Sequence, residues 1–189
     1  MTLKPDPAGL GRDHEAVAVP VTPPAVAGRL PVVSAPSGWS DVLTGTDGPR
    51  YWDRVVLSER ARAGRYKRPV TVAFVELAGL DDLGRRWGAD VAERTLAAVA
   101  RTLARQIRSS DHIAHVEAGR LGILLTETDE IAAINFVERA RGACDRSLPS
   151  AVDRVAVCFG WASPPKGGDL NDAISVALDR LASEMRKAR

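Results

Sequence analysis

The sequence predicts a layered α/β domain: a mixed central sheet of about five strands flanked by helices, behind an extended leader. Three observations predict it. Short β-branched and apolar runs alternate with stretches of helical periodicity, and two of those runs sit close enough to form a hairpin. Hydrophobic residues make up 45% of the 189, enough for a buried core in one domain plus a tail.

The elements follow in chain order. Seven of the twelve prolines fall within the first 36 residues, among mostly Ala and Val. Proline at that density removes amide donors and interrupts both helices and central strands, so residues 1–39 read as a flexible or extended leader. Its charges cancel, with Lys4, Arg12 and Arg29 against Asp6, Asp13 and Glu15. Leu30, Pro31, Val32 and Val33 form its most compact apolar patch, suited to an inert tether or to docking a partner. The folded domain is expected over residues 40–189.

Pro49 suits the first turn of a helix, and Trp52, Val55 and Val56 then share one face before the break at Pro69. Residues 70–77 are β-branched and apolar and read as a buried strand. Ala92, Leu96, Val99, Leu103 and Ile107 mark one face of a long helix. Residues 113–116 and 121–125 form two strands around the turn Glu117-Ala118-Gly119-Arg120. Ile131, Ile134 and Val137 predict an amphipathic helix, residues 155–161 a further strand, and residues 173–185 a closing helix.

Composition excludes several function classes. Basic and acidic side chains number 26 and 24, a balance that argues against a dedicated nucleic-acid binder. Arg60, Arg62, Arg65, Lys67 and Arg68 cluster locally, as a solvated helix end does. Four of the basic residues are Lys and 22 are Arg. Arginine suits bidentate recognition of phosphate or guanine, though a GC-rich genome gives the same bias. Two cysteines, Cys144 and Cys158, exclude a disulfide framework and a Cys-rich zinc site. His14, His112 and His115 have no acid or Cys cluster at ligand spacing, so neither a metal site nor a cofactor is expected. No apolar run approaches the ~18 residues of a membrane span, and no secretory signal is evident, which points to the cytoplasm.

The order of elements, with several short motifs, resembles the GGDEF domain, the bacterial diguanylate cyclase family, over roughly residues 41–189. Asp41-Val42-Leu43-Thr44-Gly45 looks like the family's D-x-L-T-G entry motif, and Gly48-Pro49-Arg50-Tyr51-Trp52 partly matches N-R-R-x-F. Gly88 and Leu96 fall where G-H-x-x-G-D-x-x-L has its first glycine and its leucine, with Ala89, Ala92 and Glu93 replacing residues between. Cys158-Phe159-Gly160-Trp161-Ala162 sits where the family has S-x-G-x-A.

The resemblance implies a metal site that this chain departs from. In active members a strand-end Asp and the acidic third residue of the hairpin motif hold two magnesium ions, because phosphoryl transfer needs charge offset at the phosphates. Here the strand-end position is Glu76, either a longer-armed ligand or a solvated carboxylate. The hairpin reads Glu117-Ala118-Gly119-Arg120-Leu121. Gly119 supplies no carboxylate, Arg120 puts a cation where an acid belongs, and Ala118 adds a Cβ where backbone should approach nucleotide. The guanine-reading Asn aligns with Gly84 and the phosphate-contacting Lys with Ala182. Glu117 is either a relocated carboxylate or a solvated turn residue. The expectation is a degenerate domain without cyclase activity: no catalytic residue and no metal.

A second family site is retained in pattern. Arg108-Ser109-Ser110-Asp111 matches the R-x-x-D site that ends five residues before the hairpin motif, and Arg139 matches a further arginine on the following helix. In the family these groups bind cyclic di-GMP, often as an intercalated dimer. Arginine can donate two bonds to guanine, pair with phosphate and stack on bases, and a carboxylate can accept from guanine N–H groups. The residues also admit a plain role: Arg108 as a cation in the last turn of a helix, Asp111 as an acceptor in the turn after it. Two functions therefore stand as expectations: a non-catalytic effector that binds cyclic di-GMP through Arg108, Asp111 and Arg139, dimeric with bound ligand, or a nucleotide-independent module that docks a protein partner.

Overall fold

Residues 70–78 set the centre of the molecule, because their side chains are apolar on both faces. A strand buried on both sides reads as a continuous hydrophobic run rather than an alternation. The computed structural model describes residues 31–148, 155–165 and 168–188. In it the elements run β1 (Ser40–Asp41), β2 (Thr46–Asp47), α1 (Pro49–Tyr66), β3 (Val70–Ala78), α2 (Leu80–Trp87), α3 (Ala89–Ala104), β4 (His112–Glu117), β5 (Arg120–Thr126), α4 (Glu130–Ser147), β6 (Ala156–Ala162) and α5 (Leu170–Lys187). The sheet order is β1-β2-β4-β5-β3-β6. β3 pairs antiparallel with β5 and β6, and β2 lies parallel to β4.

The pleat assigns the two faces. Ala73, Val75 and Leu77 of β3 pack with Leu121, Ile123 and Leu125 of β5 under α2, α3 and α4. Val72 and Phe74 face the other way, with Leu124, beneath α1 and α5. Trp52 of α1 seats its ring on Gly122, where a Cβ would lie 2.9 Å from the indole, and meets Phe74 edge-on at 5.7 Å. Gly160 of β6 lies directly under the backbone of α5.

Several expectations are corrected. Among the described residues the sheet has six strands rather than about five, because β1 and β2 are two residues each, too short for a periodicity signal. α2 has no counterpart in the sequence reading. On α4 the buried face is Ala133, Phe136, Val137, Ala140 and Cys144, while Ile131 and Ile134 are exposed. Small side chains at 133 and 140 let that face approach the sheet, which isoleucine bulk would not. α3 ends at Ala104, so Arg108 lies in the loop beyond it and not in the last helical turn. Residues 31–39, assigned to the leader, include Val33, which is 1% exposed and part of the core. The rest of the leader, residues 1–30, lies outside the described residues.

β6 is the outer strand, and side chains close part of its free edge. Arg141 donates to the Val157 carbonyl (3.1 Å) and to Glu184 (2.7 Å). Glu184 in turn accepts from the Phe159 amide (3.1 Å), and Arg180 donates to the Trp161 carbonyl (2.6 Å).

Candidate functional site

The β4–β5 hairpin presents Glu117 and Arg120 as a cross-strand pair, and antiparallel register places Glu76 of β3 directly opposite Arg120. One guanidinium therefore meets two carboxylates. Arg120 Nε donates to Glu76 Oε1 at 2.5 Å, and its Nη1 donates to Glu117 Oε2 at 2.6 Å. The Arg120 side chain is 13% exposed, so the contacts act in a partly desolvated setting where charge-assisted bonds are strong. Burial pushes the Glu117 carboxyl above its ordinary value, Arg120 counters that, and Glu76 adds to it. Gly119 turns the hairpin at φ 75°.

Between this triad and α2 lies a cleft of about 780 Å³, lined among others by Glu76, Leu80, Asp81, Gly119, Pro31 and Val33. Met185 of α5 and Ala188 just beyond its end line the cleft, neither cationic, and Ala182 does not. Its rim carries Asp81 and Asp82 in the first turn of α2, where they take up the positive end of the helix. Arg85 is paired with Asp82 at 2.7 Å. Among the lining residues three carboxylates, Glu76, Asp81 and Asp82, stand against one cation, Arg85. The arrangement does not fit a divalent cation well: the Arg120 guanidinium stands between Glu76 and Glu117 and bonds both, and the third hairpin position, Gly119, brings no carboxylate. Among the described residues no group of three or more His, Cys, Asp or Glu is placed to hold a metal ion.

The R-x-x-D turn lies between α3 and β4. Asp111 Oδ2 accepts from the Arg108 amide (2.9 Å), while its Oδ1 accepts from the Thr126 amide (3.0 Å) and hydroxyl (3.3 Å). The carboxylate thus shapes the turn and pins it to β5. Arg108 points to solvent, and its side chain has no hydrogen bond or ion pair among the described residues. Arg139 of α4 lies over the Phe136 ring and donates to the Gln106 carbonyl at 3.1 Å, two residues before Arg108. The structure therefore brings Arg139 to the same loop as Arg108 and Asp111. The turn stands apart from the cleft, whose lining includes none of the three.

Sequence matching over 39–188 now decides the family: the pattern found there is that of the diguanylate cyclase GGDEF domain. The chain belongs to the GGDEF family. Diguanylate cyclase DosC of Escherichia coli is 25% identical to this GGDEF domain over 153 residues, which is 79% of this chain and 33% of that protein. Probable diguanylate cyclase DgcC of the same species is 25% identical over 111 residues, 59% of this chain and 29% of that protein. The chain thus spans about a third of the length of these curated relatives. Among solved structures, the GGDEF domain of DgcB from Caulobacter crescentus, in complex with c-di-GMP, superposes with a TM-score of 0.73 at 14% identity, over 81% of this chain and 93% of that one. Diguanylate cyclase SiaD of Pseudomonas aeruginosa, in complex with its activator SiaC, gives 0.66 at 22% identity, over 78% of this chain and 56% of that one. These likenesses establish the fold.

Two further groups in this GGDEF domain have partners that only the fold supplies. The D-x-L-T-G carboxylate, Asp41, accepts from the Thr44 amide (2.9 Å), the Thr44 hydroxyl (2.6 Å) and Nδ1 of the buried His115 (2.9 Å). Its motif position was visible; its partner 74 residues away was not. Nε2 of His115 is buried without a hydrogen-bond partner among the described residues. Burial pushes the Asp41 carboxyl up, but bonds from Thr44 and His115 outweigh it and hold the group below its ordinary 3.8. A depressed carboxylate contributes stability that is present above its unfolded pKa and lost as pH falls through the folded value. Asp41→Ala is expected to cost about 2 kcal/mol at neutral pH. In urea titrations the gap from wild type should close as pH falls through and below 3.8; a constant gap counts against this account.

The second group is Val32. Its amide donates to Asp81 Oδ1 at 3.0 Å. Its side chain packs on Gly84, where a Cβ would lie 2.3 Å from Val32 Cγ1. The position that the family resemblance equates with a base-reading Asn is therefore covered by the chain's own upstream segment.

Proposed function

We propose that this GGDEF domain makes no cyclic di-GMP and acts instead as a receptor for it in the cytoplasm, through the turn Arg108–Asp111 and Arg139. The observation that carries the reading is the Glu76–Arg120–Glu117 triad. A fixed internal cation neutralises the two acids that would otherwise attract metal, and phosphoryl transfer without a bridging cation leaves the developing charge uncompensated. What remains chemically available for a purine dinucleotide is the outer turn, with one unengaged guanidinium at Arg108 and a second, Arg139, at the same loop. An intercalated ligand would bring two copies of the domain together.

Calorimetric titration of the purified chain with cyclic di-GMP tests this. Saturable binding at or below roughly tens of micromolar is expected, lost in Arg108→Ala and weakened at least about tenfold in Arg139→Ala. Incubation with GTP and magnesium or manganese should yield no product. Heat unchanged by Arg108→Ala would move the ligand elsewhere, and product formation would overturn the reading of the triad.

One observation favours a second reading. Both Asp111 oxygens are already occupied by the Arg108 amide and Thr126, so the motif can serve as a turn staple alone. The domain would then be a protein-docking module without a nucleotide, as SiaD is held by a protein activator. A partner recovered equally from cells that cannot make cyclic di-GMP would support it.

A further inference from the structure

We propose that residues 31–33 form a releasable strap, an intramolecular occupant at the head of the cleft whose departure opens that cleft. The inference is independent of whether the outer turn binds cyclic di-GMP. Three contacts seat the strap. The Val32 amide is bonded to Asp81 at the first turn of α2. The Val32 side chain fills the notch left by the absent side chain of Gly84. Val33 is buried in the cluster that holds Leu77 and Leu80. Pro31 and Val33 line the cleft together with Glu76, Ala118 and Gly119.

The outer part of this seat has the character of a catch, while Val33 anchors its inner end in the core. The hydrogen bond of the catch is solvent-exposed, Pro31 is exposed, and Val32 is half-buried. Segments with few buried contacts and exposed backbone bonds open locally at a fraction of the global stability. The notch is specific: a Cβ at 84 would lie 2.3 Å from Val32 Cγ1, whereas Ala92 Cβ of α3, at 3.1 Å, needs to give by only a few tenths of an ångström, and α2 gains helix propensity. Gly84→Ala therefore bears hardest on strap seating, with a smaller adjustment between α2 and α3 that the cooperativity of melting monitors. Force or binding applied to the chain upstream of Pro31 would act on the same catch and reach the hairpin turn through the cleft wall.

Thiol labelling of the full chain tests the strap. Cys144 and Cys158 are buried and free, so a cysteine introduced at Val32→Cys is the reactive thiol. In the native chain it should react with a maleimide at least about tenfold more slowly than in urea, and adding Gly84→Ala should restore about tenfold of the rate while melting stays cooperative. Ala118→Cys in the same lining reports the cleft itself, and its labelling by a bulky maleimide should rise with the same Gly84→Ala change. Native labelling of Val32→Cys at the urea rate, or either probe unmoved by Gly84→Ala, overturns the proposal. Should a double variant fail to fold, amide exchange at Val32 decides in the wild-type chain. Protection that Asp81→Ala removes is expected, and no protection overturns the proposal.

Discussion

Gly160→Ala is expected to lower the melting temperature by about 10 °C, a loss of about 3 kcal/mol or more. A Cβ built on Gly160 would lie 2.1 Å from the Ala177 carbonyl oxygen and 2.3 Å from the Leu181 amide nitrogen. Those are backbone atoms of α5, so no rotamer change makes room and the whole helix must lift from the sheet. Lifting it strips cover from Val72, Phe74 and Leu124 beneath, on a domain whose total stability is of the order of 5–15 kcal/mol. The matched control is Gly64→Ala on α1, where a Cβ meets nothing within 4 Å and helix propensity should add about 0.5–1 kcal/mol. Thermal denaturation of both variants checks the contrast. Equal and small shifts would mean that α5 does not rest on Gly160.

Arg120→Ala is expected to cost about 2–3 kcal/mol at neutral pH. Removing one partner of a desolvated ion pair strands the other charge, and partial exposure here moderates that cost. Two carboxylates, Glu76 and Glu117, would face each other without a cation. The pH dependence has a definite sign. Glu117 already sits above its ordinary 4.5 because of burial, so ionising it in the folded state opposes stability. A carboxyl with a raised folded pKa binds more protons folded than unfolded, so stability falls as pH rises from 4.5 through the folded value. Without Arg120 that folded value rises further and the window widens. The deficit of the variant should be smallest below 4.5 and full at neutral pH. Adding Glu76→Gln and Glu117→Gln to Arg120→Met should recover most of the loss, because no charge is then stranded. Urea unfolding across pH reads all three chains, and a deficit constant with pH would sink the account.

Both predictions rest on motif positions, yet only part of their meaning was legible in the chain. Gly160 stood in a recognisable S-x-G-x-A context, but the helix backbone that requires glycine there comes from residues 177–181. Arg120 was visible as a cation in place of an acid. That it bridges Glu76, 44 residues earlier, depends on the antiparallel register of β3 and β5. Asp111 accepts the Arg108 amide in its turn, a role its position admits beside ligand binding, while Thr126 is a partner that only strand placement supplies. On α4, isoleucine spacing pointed to the wrong face, since periodicity ranks residues by hydrophobicity and not by how closely a helix can approach.

Local chemistry settled the four longer strands, most helices, the hairpin and the family, because backbone preference and hydrophobic period act over a few residues at a time. The exposure of Arg108, the company of Arg139, the closure of the β6 edge and the burial of Val33 are of another kind. Each depends on which surfaces meet when distant segments pack, and a proline-rich stretch such as 31–36 carries no periodicity from which its seat on Gly84 could be read. Packing, through the notch at Gly84, decided that Pro31 and Val33 line the cleft.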